Sequence, residues 1–191
     1  MSIDRRKMIV DAAAKSFALF GYKATTMDQV AKIANVGKGT IYTFFSNKEE
    51  LFQEIMKSLL TEMKQVAEAA LDPNLTFFDN LNRVLHRLLD FREQHELAIK
   101  LSQEVRDIGT QMAQEGLQLI EKSVIGYIRQ QVQKAIDKGE IKPCDPELTA
   151  FVMLKLYMAL AADWRKTHEP LDKDRVAELL CFYLKEGLAP A

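Results

Sequence analysis

Apolar residues in this 191-residue chain return every three or four positions almost from end to end, and nowhere do they alternate with period two over a useful length. The first spacing stacks side chains on one face of an α-helix, whereas a half-buried strand needs the second. The chain is therefore expected to be all-α, without a sheet. Only 8 Gly and 5 Pro punctuate it, so turns are few and helices long.

Start and stop signals divide it into about nine helices. The first is expected from about Ile3 to Phe20, stopped by Gly21. Thr26-Met27-Asp28-Gln29 has the spacing of a capping box and opens a helix of about two turns, ending at Asn35. Gly37-Lys38-Gly39-Thr40 starts another short helix, through Phe44 or Phe45. Ser46-Asn47-Lys48-Glu49-Glu50 caps a long helix to about Leu71, and Asp72-Pro73-Asn74 breaks it. Thr76 and Asp79 cap a helix through about His95, a shorter one covers Glu96 to Arg106, and a long one runs from Thr110 to Lys138 before Gly139. Asp145-Pro146-Glu147 starts an apolar helix from Leu148 to Lys166. Asp172 caps the last, with Val176, Leu179, Leu180, Tyr183 and Leu184 on one stripe.

The formal net charge is −1, which excludes a chain-wide polycation coating nucleic acid or acidic lipid. That total conceals an asymmetry. Residues 1–48 carry eight basic against three acidic side chains, a net of +5, and the remainder carries 18 against 24, a net of −6. A basic head and an acidic body suggest a polyanion site at one end.

Other classes find little support. Cys144 and Cys181 are too few for a disulfide scaffold and form no CxxC pair, as in a reducing cytosol. His86, His95 and His168 have no ligand spacing, so no metal site and no cofactor are expected. There is no Walker loop, no GxSxG and no Cys–His arrangement, so no catalytic residue is proposed. Leu148 to Trp164 is nearly continuous apolar sequence, but Lys155 and Asp163 interrupt it and it is short for a span; no membrane is expected. Met1-Ser2-Ile3-Asp4-Arg5-Arg6-Lys7 leads into no apolar signal region, so the protein should remain in the cytoplasm.

Two short helices joined at Asn35-Val36 make a helix-turn-helix if they cross steeply. Ala31 supplies the small residue at the crossing, and Val30, Ala34, Val36, Ile41 and Phe45 supply apolar contacts. The polar face of the second helix, with Lys38, Thr40, Tyr42 and Thr43, is then free to enter a DNA major groove. The run TTMDQVAKIANVGKGTIYTFFSNKEEL from Thr25 to Leu51, with Ile9-Val10-Asp11-Ala12-Ala13 and Phe17-Ala18-Leu19-Phe20-Gly21-Tyr22 before it, closely resembles the DNA-binding domain of the TetR family of bacterial transcriptional regulators. It departs at Asn35, where glycine is common, at Gly37, where a capping serine is common, and at Thr43-Phe44, where an aromatic or histidine pair is common. These departures bear on the operator rather than the fold.

The resemblance implies a DNA-binding domain at 1–48 and a helical ligand-binding and dimerisation domain at 49–191. Within the first, Thr26 caps a helix whose amides can meet a phosphate, Gly39 lets backbone approach DNA, Lys38, Thr40 and Tyr42 are placed for bases or nearby phosphates, and Lys48 should clamp a phosphate.

The helix from Leu148 is apolar nearly all round, and a helix on a monomer surface needs only one apolar stripe. Its surplus face, with Met153, Tyr157, Leu160 and Trp164, and Leu180 and Tyr183 of the last helix, is expected to meet a second copy across a two-fold axis. The resemblance implies the same homodimer, reading a palindromic operator in double-stranded DNA. It also implies a pocket for a small-molecule effector among the middle helices, with Phe78, Leu88, Phe91, Met112, Tyr127 and Phe151 as candidate lining and Phe77, Leu101 and Leu117 beside them. The expected function is a ligand-responsive regulator, a repressor released from DNA by its effector. Two alternatives stay open: control by a protein partner, and a helical enzyme or adaptor in which the hairpin is structural.

Overall fold

The computed structural model describes residues 4–94, 96–107 and 109–188; what was expected of Met1–Ile3 and of His95 lies outside them. Nine α-helices and no strand are found among the described residues: α1 (Arg5–Ala24), α2 (Met27–Ala34), α3 (Lys38–Tyr42), α4 (Lys48–Ala70), α5 (Phe77–Gln94), α6 (Glu96–Asp107), α7 (Gln111–Asp137), α8 (Pro146–Met158) and α9 (Lys173–Leu188). No helix among them is long and apolar enough to cross a membrane.

Local chemistry sets most of the boundaries. Asp4 accepts from Lys7 N to cap α1, Asp145 accepts from Glu147 N and Leu148 N with Pro146 at the first helical position of α8, and Asp172 accepts from Arg175 N to cap α9. Gly21 breaks the regular path of α1 at φ 82° and ψ 174°, and one more turn carries the helix to Ala24. At the far end of α7, Gly139 takes φ 71° and returns its N–H to Ile136 O.

Two boundaries besides the end of α1 differ from the sequence reading. α3 ends at Tyr42 rather than at Phe44 or Phe45, because the amides of Phe44 and Phe45 both turn back to Ile41 O. α8 does not run unbroken to Lys166: it widens into a π turn at Ala159–Asp163 and tightens into a 3₁₀ turn at Trp164–Lys166. Apolar pattern alone cannot separate these windings, because they differ by one hydrogen-bond register.

The described residues form two compact units, each discontinuous in sequence. The first takes in residues up to 62 and 92–120, the second 63–91 and 121 onward. In the first unit Ile9, Phe17, Val30, Ile41, Phe45, Leu51, Phe52, Met56 and Leu101 are buried. Its centre is an aromatic triad: Phe52 meets Phe17 edge-on at 5.4 Å and Tyr22 at 4.9 Å, and Phe17 stacks on Tyr22 at 5.8 Å. The second unit is built on Leu85, Val132, Ala135, Ile141, Met153, Ala177, Leu180 and Leu184, with Phe77, Phe78, Tyr157, Leu160 and Cys181 packed against them.

Candidate nucleic-acid interface

The interface begins with what α2 and α3 bury. Val30, Ala31, Ala34, Ile41 and Phe45 are all within 6 % of complete burial, so the inner faces of both helices are spent inside the unit, while Ile33 and Tyr42 stay exposed. The rest of the outward face is polar. The Thr26 hydroxyl accepts from Gln29 N at 3.2 Å and Gln29 Oε1 accepts from Thr26 N at 2.8 Å, which completes the capping box. Asn35 takes the left-handed conformation at φ 52°, and Val36 N returns to Ala31 O at 3.0 Å. That turn swings the chain into α3 without glycine, because the short Asn side chain tolerates this region.

On α3 a Cβ added at Gly39 would meet nothing within 4 Å. Nothing inside the protein requires glycine at this helical, exposed position, where glycine costs about 1 kcal/mol relative to alanine. Tyr42 is exposed and Thr40 half-buried. Thr43 spends its hydroxyl on Thr40 O at 2.7 Å, so that donor is committed to closing the helix rather than turned outward. Lys38 does not stand alone: its Nζ meets Asp28 Oδ2 of α2 at 2.9 Å, and this hydrogen bond raises the lysine pKa.

Lys48 is the first residue of α4, where the helix dipole disfavours a cation. The fold offsets this with carbonyls. Its Nζ donates to Tyr22 O at 2.9 Å and Thr25 O at 3.1 Å and lies 4.2 Å from the centre of the Tyr22 ring. Two of three ammonium protons are thus committed to the elbow between α1 and α2, leaving one for another acceptor. The same elbow is tied down elsewhere. Tyr22 donates its hydroxyl to Glu49 at 2.6 Å, and burial, then Glu49, push its pKa up. Thr25 donates to Gly21 O and shares a hydrogen bond with Ser16. From α6, the buried Glu104 carboxylate accepts Lys23 N at 3.1 and 3.2 Å.

Sequence reasoning missed Asp28 and Glu104. Asp28 had a signal, as the lone acid between Thr26 and Lys48. Glu104 had none, because the amide it holds on α1 lies about eighty residues away.

The remaining candidates separate. Phe78, Leu88, Phe91 and Tyr127 belong to the second unit and are half-buried; Met112 belongs to the first. The Tyr127 hydroxyl is buried with no hydrogen-bond partner among the described residues, and burial raises its pKa. Phe151, expected in a pocket lining, is 43 % exposed with the Lys155 ammonium 5.3 Å from its ring. Among the residues expected at a dimer surface, Met153 and Leu180 are corrected: at 3 % and 1 % exposure they fill their own unit's core. Tyr157 and Leu160 lie half-buried against that core. Trp164 is exposed and stacked on His168 at 3.9 Å. Tyr183, expected at the dimer surface, is exposed beside Phe182. No group of three or more metal-ligating side chains occurs among the described residues.

An all-helical chain whose α2 and α3 bury their apolar faces and turn a polar helix outward is a helix-turn-helix protein. Residues 9–55 match the family described as bacterial regulatory proteins, tetR family. The chain is 59 % identical to the uncharacterized HTH-type transcriptional regulator YhgD of Bacillus subtilis (strain 168), over 99 % of both chains. It is 28 % identical to the fatty acid metabolism regulator protein of the same organism, over 70 % of this chain and 69 % of that one. Its fold superposes on the solved fatty acid degradation regulator FadR of Bacillus halodurans with a TM-score of 0.74, covering 96 % of each chain at 18 % identity. The chain belongs to the TetR family of bacterial transcriptional regulators; it is a DNA-binding regulator and not an enzyme.

Proposed function

We propose that the protein is a cytoplasmic homodimeric repressor that binds a palindromic operator in double-stranded DNA and leaves it when a small molecule binds residues 49–191. The observation that carries the DNA half of this reading is the exposed set Thr26, Lys38, Gly39 and Tyr42, with the half-buried Thr40 among them, on a head of net charge +5, with a glycine at 39 that nothing inside the protein needs. One short helix reads few bases, so two copies and a palindrome are the economical solution. Phe151, Val152, Met158, Trp164, Phe182 and Tyr183 supply exposed apolar area on α8, the turns after it and α9 for the second copy. Among the candidate lining residues, the buried and unpartnered Tyr127 hydroxyl offers an effector one polar anchor, since burying such a group unpaired is costly. The relatives named for fatty acid metabolism make acyl-chain compounds the first effectors to try. Release then needs an effector that binds the DNA-incompetent arrangement more tightly.

Selection of bound duplexes from a random pool tests this reading. A palindrome with half-sites about one helical turn apart is the expected product. A pool that never converges, or converges on an unrepeated site, would overturn the symmetric mechanism.

In the same reading the third Lys48 proton meets a phosphate. Lys48→Ala should weaken binding on every sequence and reduce the magnitude of the salt slope by about one unit for each phosphate left without its lysine. The variant also removes the donor to Tyr22 O and Thr25 O, so its melting temperature is measured alongside. A lowered melting temperature with an unchanged salt slope would leave Lys48 as a structural clasp only.

A further inference from the structure

The segment from Thr26 to Lys48 faces a polyanion, yet it carries one carboxylate. Asp28 stands in the first turn of α2 with its side chain 60 % exposed, and it holds the only cation of α3, Lys38, at 2.9 Å. Both residues, with Lys32, Asn35 and Gly37, border one open depression between the two helices. The bland account is a favourable charge near a helix N-terminus, which would stabilise α2 wherever the carboxylate pointed. It does not require the carboxylate to reach across to the recognition helix and engage Lys38.

We propose that Asp28 is a specificity-determining residue that withholds Lys38 from the phosphates of arbitrary DNA and presents it, still paired with the carboxylate, to a base edge. The proposal rests on the reading of α3 as the recognition helix.

In the free protein an exposed pair of this kind contributes little stability. Its effect appears as a difference between two DNA complexes. On arbitrary sequence, Lys38 can gain a phosphate only by leaving Asp28, whose bare carboxylate then faces backbone charges within a Debye length of about 8–10 Å. That repulsion cancels much of the gain. On the right sequence Lys38 keeps one proton on Asp28 and donates another to an acceptor such as guanine O6 or N7 in the major groove, so the carboxylate stays neutralised and no such penalty arises. Specificity is a difference of affinities, and a misplaced negative charge widens it by penalising the wrong complexes more than the right one.

Asp28→Asn keeps the shape and the acceptor carbonyl and removes the charge. The test measures anisotropy titrations over a range of KCl, for the duplex that the wild type selects from a random pool and for a mixed-sequence duplex of equal length. Asp28→Asn is expected to bind the mixed-sequence duplex on the order of fivefold more tightly and to steepen its salt slope by about one unit per head, as one more phosphate is met. Affinity for the selected duplex should change by less than about twofold, so the specificity ratio falls. Adding Lys38→Met to Asp28→Asn should abolish the gain. An Asp28→Asn variant that binds mixed-sequence DNA no better, that tightens both duplexes equally, or whose gain survives Lys38→Met would overturn the proposal. A wild type that selects no duplex would instead remove the recognition-helix reading beneath it.

Discussion

Replacing Gly21 by alanine is expected to destabilise the protein by about 3 kcal/mol, a fall of roughly 6–12 °C in melting temperature for a chain of this length. Two costs combine. At φ 82° and ψ 174° the backbone occupies a region that is essentially closed to side chains, and holding a non-glycine residue there costs about 1–3 kcal/mol. A Cβ at this position would also run into Glu104 Oε2, far inside van der Waals contact. The carboxylate is not free to step aside. It is 5 % exposed, accepts Lys23 N with both oxygens and accepts the Thr110 hydroxyl, so moving it breaks part-buried hydrogen bonds to a charged group, at about 1–3 kcal/mol. Thermal melts check the figure, and a loss below about 1 kcal/mol would mean that the elbow reshapes cheaply. At temperatures where the variant remains folded it should also bind DNA less well, because the elbow sets the path into α2.

Phe52→Ala is expected to cost about 3–5 kcal/mol, the range for deleting a fully buried aromatic ring. The ring is 1 % exposed and joins α4 to α1 through Phe17 and Tyr22. It also lies against α7: a Cβ at Gly116 would meet Phe52 Cζ at 3.1 Å and Met56 Cε at 3.7 Å. Glycine at 116 is therefore the gap into which the ring fits. In the wild type, Gly116→Ala forces the ring aside by a few tenths of an ångström and is mildly unfavourable. In the Phe52→Ala background the same methyl enters vacated space and should recover part of the loss. Denaturant titration of the two single variants and the double variant measures this coupling, and strict additivity would show that ring and glycine do not meet.

The fold was legible because its signals are local. Capping at Thr26, Thr76, Asp145 and Asp172, the stops at Gly21 and Gly139, and the three-to-four spacing all act within a few residues, and the structure places the corresponding helix ends within a turn of those residues. The ends that moved, at Tyr42 and Met158, are those without such a marker, where neighbouring hydrogen-bond registers compete. The outward set Thr26, Lys38, Gly39, Thr40 and Tyr42 was legible for the same reason: in a helix-turn-helix the buried residues are spaced so regularly that the outward ones follow. The face of a helix that lacks a clear stripe was not. α8 is apolar on all sides, so sequence could not tell that Met153 turns inward while Phe151 and Val152 turn out. On α9 the inward turn of Leu180 depended on which neighbours already filled the core.

By itself, then, the sequence determined an all-helical chain, a capped helix-turn-helix in its basic first quarter, and the polar residues that this motif carries. Those follow from periodicity, caps and net charge, which a chain carries wherever it is placed. Tertiary structure alone decided what holds that head together and what restrains it: Glu104 on the amide of Lys23, Lys48 on the carbonyls of Tyr22 and Thr25, and Asp28 on Lys38. Each joins groups ten to about eighty residues apart, and a charge finds its partner only when packing has fixed both ends within hydrogen-bond reach.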